Sequence, residues 1–218
     1  MVSAFGGAEF PTTAGLNAAT TCTSLANFVK NNHLDGLDID WADNAAMVAG
    51  TGEQWLIDCT RAAREVLPKG SYYISHSPQA PYFDDTHYVN RGYARVNEEV
   101  GDMIDWYNVQ YFNQGDTKYD SYQELYQSTS GVFAGTAVKQ IHDRLNVPLE
   151  KIIVSKPVTQ SDASNTGWVS PSSLGDWSAR ARNDFSWTSG IATWQYESDV
   201  NGQYVKDYKS ALGAASSI

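Results

Sequence analysis

Apolar and polar residues alternate most sharply along Leu37-Asp38-Ile39-Asp40-Trp41-Ala42. The period of two predicts a strand over 34–41, with Leu37, Ile39 and Trp41 on one face and carboxylates on the other. Upstream, Cys22, Leu25, Ala26 and Val29 recur at helical spacing and predict a helix that ends near Asn31-Asn32. Downstream, a second helix is predicted from Thr51, where Thr51-x-x-Gln54 reads as a capping box. It runs through Trp55, Cys59, Ala62 and Val66 and stops at Leu67-Pro68-Lys69-Gly70. Strand and helix alternating at this spacing are the signature of a parallel α/β sheet.

The same grammar continues. Met1 to Gly7 reads as a strand running into a glycine turn, and Tyr72-Tyr73-Ile74-Ser75-His76 as another strand. In Trp106 to Asn113, alternation sets Trp106, Asn108, Gln110 and Phe112 against Tyr107, Val109 and Tyr111. A helical stretch near Ala137–Leu145 precedes a strand at Lys151–Pro157, where a proline at the exit does no harm. Val158 to Leu174 reads as a long polar loop, in which Trp168 either stacks on a ligand or folds the loop down. The last strand is Gly190–Tyr196. Tyr204 and Tyr208 share one face of a terminal helix that packs and closes the chain at Ser216-Ser217-Ile218.

Composition narrows the function. The 218 residues are 42% hydrophobic, enough for one sizeable core, and carry a formal net charge of −10, which argues against nucleic acid or an anionic membrane as partner. No apolar run approaches the roughly 18 residues of a membrane span, and Met1–Gly7 has neither the basic nor the apolar region of a signal peptide. Thirteen tyrosines and seven tryptophans suit a carbohydrate binder. Cys22 and Cys59 lie on consecutive predicted helices and are read either as a disulfide or as two reduced core thiols.

Two like carboxylates on one strand face are a common basis for acid–base chemistry. A calcium loop counted from Asp38 would need glycine at its sixth position and glutamate at its twelfth, but the chain has Asp43 and Ala49 there. Asp-x-Asp alone is too short a motif to argue for magnesium and a nucleotide sugar. An exposed acidic turn would not carry the apolar alternation. His76 is read as a hydrogen-bonded wall residue, since no second ligand sits at metal spacing.

The spacing Asp35-x-x-Asp38-x-Asp40-x-Ala42 resembles the DxxDxDxE signature of glycoside hydrolase family 18, the chitinase and endo-N-acetylglucosaminidase family. Further motifs follow in family order. Ser3 to Gly7 resembles the SxGG strand, with Ala4 at the serine position by direct alignment. Ser77-Pro78-Gln79-Ala80-Pro81 is similar to the APQxP of class III and fungal chitinases, and Gln110-Tyr111-Phe112-Asn113 to their Gln-x-Tyr-Asn. Trp194 resembles the tryptophan that floors the subsite beside the scissile bond.

The resemblance implies one family 18 catalytic domain over 1–218, an α/β TIM (β/α)8 barrel that begins inside its third strand and lacks the first two. It implies a monomer that is secreted and fungal in style, with chitin or N-acetylglucosamine oligomers as partner and no metal or other cofactor. Asp38 and Asp40 would hold the acetamido group. Gly6, Gln79, Gln110, Phe112 and Asn113 would line the sugar site, and Trp194 would stack beneath.

Two positions depart from the pattern. In the family a glutamate at the position of Ala42 protonates the glycosidic oxygen while the substrate's own acetamido group attacks. A methyl group cannot transfer a proton, a step contributing roughly 10²–10⁴-fold in rate. Asp43 points to the opposite face of a strand and is shorter than a glutamate. Phe112 stands where the family's tyrosine hydroxyl would bond the acetamido group. The expectation is a chitinase-like binder that does not cleave. The alternatives are a chitinase whose acid was replaced by design, or a non-functional fragment with two open sheet edges.

Overall fold

Residues 1–215 are described by the computed structural model, so the expected closure of the last helix at Ser216–Ile218 lies outside the described residues. The chain divides into two compact units, Met1–Asn108 and Val109 onward.

In the first unit, β1 (Val2–Gly6), β2 (Gly36–Trp41), β3 (Tyr73–His76) and the start of β4 (Trp106–Gln110) pair in chain order, each parallel to the last. The register sets Ser3 opposite Asp38 and Asp38 opposite Ser75. Leu37, Ile39 and Trp41 are fully buried, while Asp38 and Asp40 on the alternate face are half-buried, as the pattern predicts. Gly36 makes the β2–β3 approach possible, because a Cβ there would lie 2.2 Å from the Tyr73 carbonyl oxygen.

Helix α1 (Ala18–Asn31) begins at Asn17, whose side chain accepts from Thr20 N, and packs on α3 (Gly52–Val66). A disulfide between Cys22 and Cys59 joins the two, which settles the open reading of the cysteines. The capping box expected at Thr51 is absent. A short helix, α2 (Asn44–Val48), precedes it, and Thr51 Oγ1 turns back to the Ala46 carbonyl of that helix at 3.3 Å. Gln54 reaches forward to Asp58 instead. Helix α4 (Tyr93–Val100) completes this unit.

The second unit holds the end of β4, a single π turn at Gln123–Gln127, α5 (Val138–Leu145), β5 (Ile152–Pro157), α6 (Pro171–Phe185), β6 (Ile191–Trp194) and α7 (Gln203–Ala215). Strands β5 and β6 are parallel, with Pro157 opposite Trp194. The polar loop after β5 is shorter than its sequence predicts. Ser170 caps α6 by accepting from Ser173 N, and Pro171 occupies the first helical turn, where its missing N–H is harmless. Helices α6 and α7 pack closely at Gly175, where a Cβ would sit 2.6 Å from Tyr208 O. Tyr204 and Tyr208 are buried in that packing, as their spacing predicts.

Candidate active site

Asp38 is the most heavily bonded side chain of the first unit. Its carboxylate accepts from Ser75 Oγ at 2.6 Å, Ser3 Oγ at 2.8 Å, Ser77 Oγ at 2.9 Å and Asn108 Nδ2 at 3.3 Å. The four donors come from three other strands, Ser3 from β1, Ser75 and Ser77 from β3 and its exit, and Asn108 from β4. A carboxylate offers about four lone-pair sites, so this set fixes both oxygens of Asp38. Ser3 is the hydroxyl that reaches the acidic strand, not the neighbouring position 4 that direct alignment marks, because Ser3 is the register partner of Asp38. Sequence reasoning left Ser3, Ser75, Ser77 and Asn108 out of the site. The available signal was their alternate spacing on the faces that also hold the acids.

Asp40 lies two residues on and faces the same side. Gly6, at the end of β1, neighbours it: a Cβ on Gly6 would lie 3.9 Å from Asp40 Oδ2, an ordinary van der Waals contact. Gly6 and Phe5 both adopt positive φ (73° and 83°), so the chain turns away just where the acidic strand ends. Ala42 follows Trp41 directly and is buried at 7% exposure. Asp43 is committed elsewhere: it accepts Thr13 N at 2.7 Å, Thr13 Oγ1 at 2.6 Å and Ala46 N at 3.3 Å, capping α2. These three bonds hold both carboxylate oxygens of Asp43 against Thr13 and the start of α2.

The wall behind the acids is aromatic. Tyr82 donates to Asn44 Oδ1 at 2.7 Å, and its phenol is held protonated by burial, then by Tyr88, Asp43 and Asp40. Burial and the surrounding tyrosines and aspartates likewise keep Tyr93 protonated. His76 bonds Thr60 Oγ1 at 3.1 Å and Tyr93 OH at 3.0 Å. Burial, and secondarily Arg64, pushes it down to about 3, so it is neutral and structural. No cluster of metal-ligating side chains occurs among the described residues. Gln79 is half-buried and opens a 3-10 turn at Ala80–Phe83.

The remaining predicted site residues belong to the second unit. Gln110 ends β4 half-buried. Tyr111 is fully buried against Tyr119, ring centres 5.0 Å apart, and its hydroxyl has no hydrogen-bond partner among the described residues. It therefore does not stand in for a tyrosine at position 112. Phe112 is 6% exposed. Asn113, at φ 63°, uses its side-chain oxygen to accept Ser164 N at 2.7 Å and Asn165 N at 3.3 Å, so that group braces a loop. Trp194 is 48% exposed, with a cis peptide to Gln195. Trp168 donates its indole N–H to Val158 O at 3.0 Å, which pins the loop and leaves the ring half-buried.

Known proteins bear on this geometry. The model for glycosyl hydrolases family 18 matches residues 2–214. A family 18 chitinase from Pseudoalteromonas aurantia superposes with a TM-score of 0.82 at 32% identity, covering 97% of this chain and 74% of that one. A family 18 chitinase from Chromobacterium violaceum gives 0.66 at 17% identity, over 100% of this chain and 65% of the other. A xylanase and amylase inhibitor protein shares the fold at 0.57 and 16% identity, over 88% and 68%. No curated protein matches the chain. The architecture is that of the TIM-type α/β barrel, with six of its strands among the described residues. From the family model, the 32% identity over nearly the whole chain and the acidic strand in its family position, the chain belongs to glycosyl hydrolase family 18.

Proposed function

We propose that this chain is a chitinase-like family 18 domain that binds chitin or N-acetylglucosamine oligomers and does not hydrolyse them. The observation that carries this reading is the contrast at the end of β2. Asp38 and Asp40 share one half-buried face of β2, while the position that matches the family's proton donor is Ala42 and the adjacent Asp43 accepts from Thr13 and Ala46. Phe112 removes a second polar contact from the same chemical step, which disfavours a single replacement by design.

In this reading Asp38, locked by its four donors, orients Asp40, and Asp40 accepts the acetamido N–H. Gly6 gives the sugar room above Asp40. By the family resemblance, Gln79 in the first unit and Gln110, Asn113 and Trp194 in the second are further side chains assigned to sugar contact. The disulfide between α1 and α3 supports an oxidising, extracellular setting.

Calorimetric titration with the N-acetylglucosamine tetramer tests the proposal. Saturable heat with no reducing ends released afterwards is the expected result. Steady product formation by the unaltered chain would overturn it.

A further inference from the structure

Trp194 ends β6 with its ring nearly half exposed, and its indole N–H makes no hydrogen bond among the described residues. The direction of the ring therefore depends on how the main chain on either side carries its Cα–Cβ bond. On the near side the sheet gives support. Trp194 is the register partner of Pro157, and its carbonyl accepts Val158 N at 2.8 Å. On the far side the chain leaves the sheet and turns at Tyr196–Ser198. The Tyr196 ring is 90% exposed, so it gives this turn no apolar anchor. Ser198 N reaches back to Gln195 O at 3.1 Å, a bond within the turn itself.

The loop after β5 supplies the missing anchor. That loop is braced from its base by Lys156, fully buried on β5, whose Nζ donates to Tyr111 O at 2.7 Å, Tyr119 O at 2.7 Å and Gly167 O at 3.0 Å. Trp168 adds its indole bond to Val158 O at 3.0 Å. Within the loop Gln160–Asp162 forms a 3-10 turn, and Asp162 divides its two oxygens. Oδ2 accepts Thr159 N at 2.8 Å and Thr159 Oγ1 at 2.7 Å, inside the loop. Oδ1 accepts Ser198 Oγ at 2.6 Å, across 36 residues of chain, in the turn that follows Trp194. Burial alone would raise this carboxyl, but the bonds from Ser198 and Thr159 outweigh it and hold it below the ordinary carboxylate range.

We infer that Asp162 is a positioning residue for Trp194: its carboxylate fastens the turn after the tryptophan to a braced loop and so sets the direction of the indole. With Val158 holding one side and Asp162 the other, only Gln195, Tyr196 and Glu197 lie between the two anchors. A hydroxyl that donates to an ionised carboxylate forms a short bond, roughly twice as strong as one between neutral groups, and the Ser198–Asp162 distance is of that kind. A ring already directed before a ligand arrives loses less freedom when it stacks. The inference rests on the assignment of Trp194 to sugar contact and adds to it a side chain that itself touches no ligand.

Nitrogen-edited NMR of the full chain tests this. The Trp194 indole signal is assigned by its loss in Trp194→Phe. Buried Trp187, whose indole donates to Ile152 O at 2.9 Å, reports on the fold of the unit and is assigned in the same way. Asp162→Ala and Ser198→Ala should each shift or broaden the Trp194 signal and leave Trp187 in place. The double variant should do no more than Asp162→Ala, because both changes break the same bond. Ser198→Thr keeps a hydroxyl and should keep the Trp194 signal of the unaltered chain. In calorimetry, Asp162→Ala should bind the N-acetylglucosamine tetramer about two- to tenfold more weakly, the equivalent of ordering one side chain on binding. A Trp194 signal unmoved in Asp162→Ala would overturn the inference, as would an equal disturbance of Trp187 or alanine effects that add. Undiminished tetramer affinity in Asp162→Ala would overturn it too. An unaltered chain that takes up no tetramer, with the Trp194 shifts as expected, would sink the sugar assignment alone and leave the positioning supported.

Discussion

Asp38 and Ser75 are register partners across β2 and β3, and their side chains meet at 2.6 Å, the shortest of the bonds that hold Asp38. The serine is almost fully buried. Removing its hydroxyl takes a donor from a carboxylate in a place water barely reaches. A hydrogen bond to a charged group contributes about 1.5–3 kcal/mol. Ser75→Ala should lower unfolding stability by about that amount and weaken sugar binding in parallel, read by urea denaturation and calorimetry on the same sample. Unchanged stability would show that Ser3, Ser77 and Asn108 hold Asp38 without it.

Ala42→Glu restores a proton donor at the family position. Because Phe112 also departs from the family pattern, the single variant should yield slow hydrolysis of a fluorogenic chitobioside. Ala42→Glu combined with Phe112→Tyr should raise the rate by roughly 10²–10⁴-fold over the unaltered chain. Brisk turnover from Ala42→Glu alone would point to a chain that is otherwise a complete enzyme.

His76 makes the fold sensitive to acid. Its folded value is about 3, against an ordinary value of about 6.5. Above 6.5 the imidazole is neutral whether folded or not, and no linkage exists. Below it the unfolded chain takes up a proton that the native state refuses, so stability falls with pH until about 3. The expected slope from this one group is about 1.4 kcal/mol per pH unit. Urea midpoints measured between neutral and mildly acidic pH should show that slope, and His76→Gln should remove it.

The Cys22–Cys59 bond closes a loop with a sequence separation of 37 residues. Cross-links of this kind stabilise by about 2–4 kcal/mol, mainly by restricting the unfolded chain. Reduction, or Cys22→Ser with Cys59→Ser, should lower the thermal midpoint while the circular dichroism of the folded state stays the same. An unchanged midpoint would mean that helix packing alone holds α1 on α3.

Gly36 belongs to the acidic-strand motif but acts through space. Gly36→Ala would place a methyl group against the Tyr73 carbonyl, where a Cβ has only 2.2 Å. The nearest atoms belong to the Tyr73 main chain, which cannot swing aside as a side-chain end could. The variant should be destabilised by about 1–3 kcal/mol, as for overpacked cores, and should lose sugar binding because Ser75 and Ser77 move with β3.

Local pattern carried much of this protein. Alternation at Leu37–Trp41 and helical spacing at Cys22–Val29 are properties of neighbouring residues, so the strand, the helix and the α/β class were legible without coordinates. So was the alanine at position 42 of the acidic motif, since position within a motif is itself local. Where local signals competed, the reading failed: Thr51-x-x-Gln54 spells a capping box, but the α2 carbonyl of Ala46 claimed the hydroxyl first. The donors around Asp38 lie 35 to 70 residues away in the chain. Only strand register decides which of them meet it, and register is set by packing of the whole sheet. The same holds for the commitment of Asp43 to Thr13, the pairing of Cys22 with Cys59, and the three carbonyls gathered by Lys156. Which chemical groups the chain carries is legible residue by residue, but which of them are already hydrogen-bonded to one another follows from the packing of segments far apart in the chain.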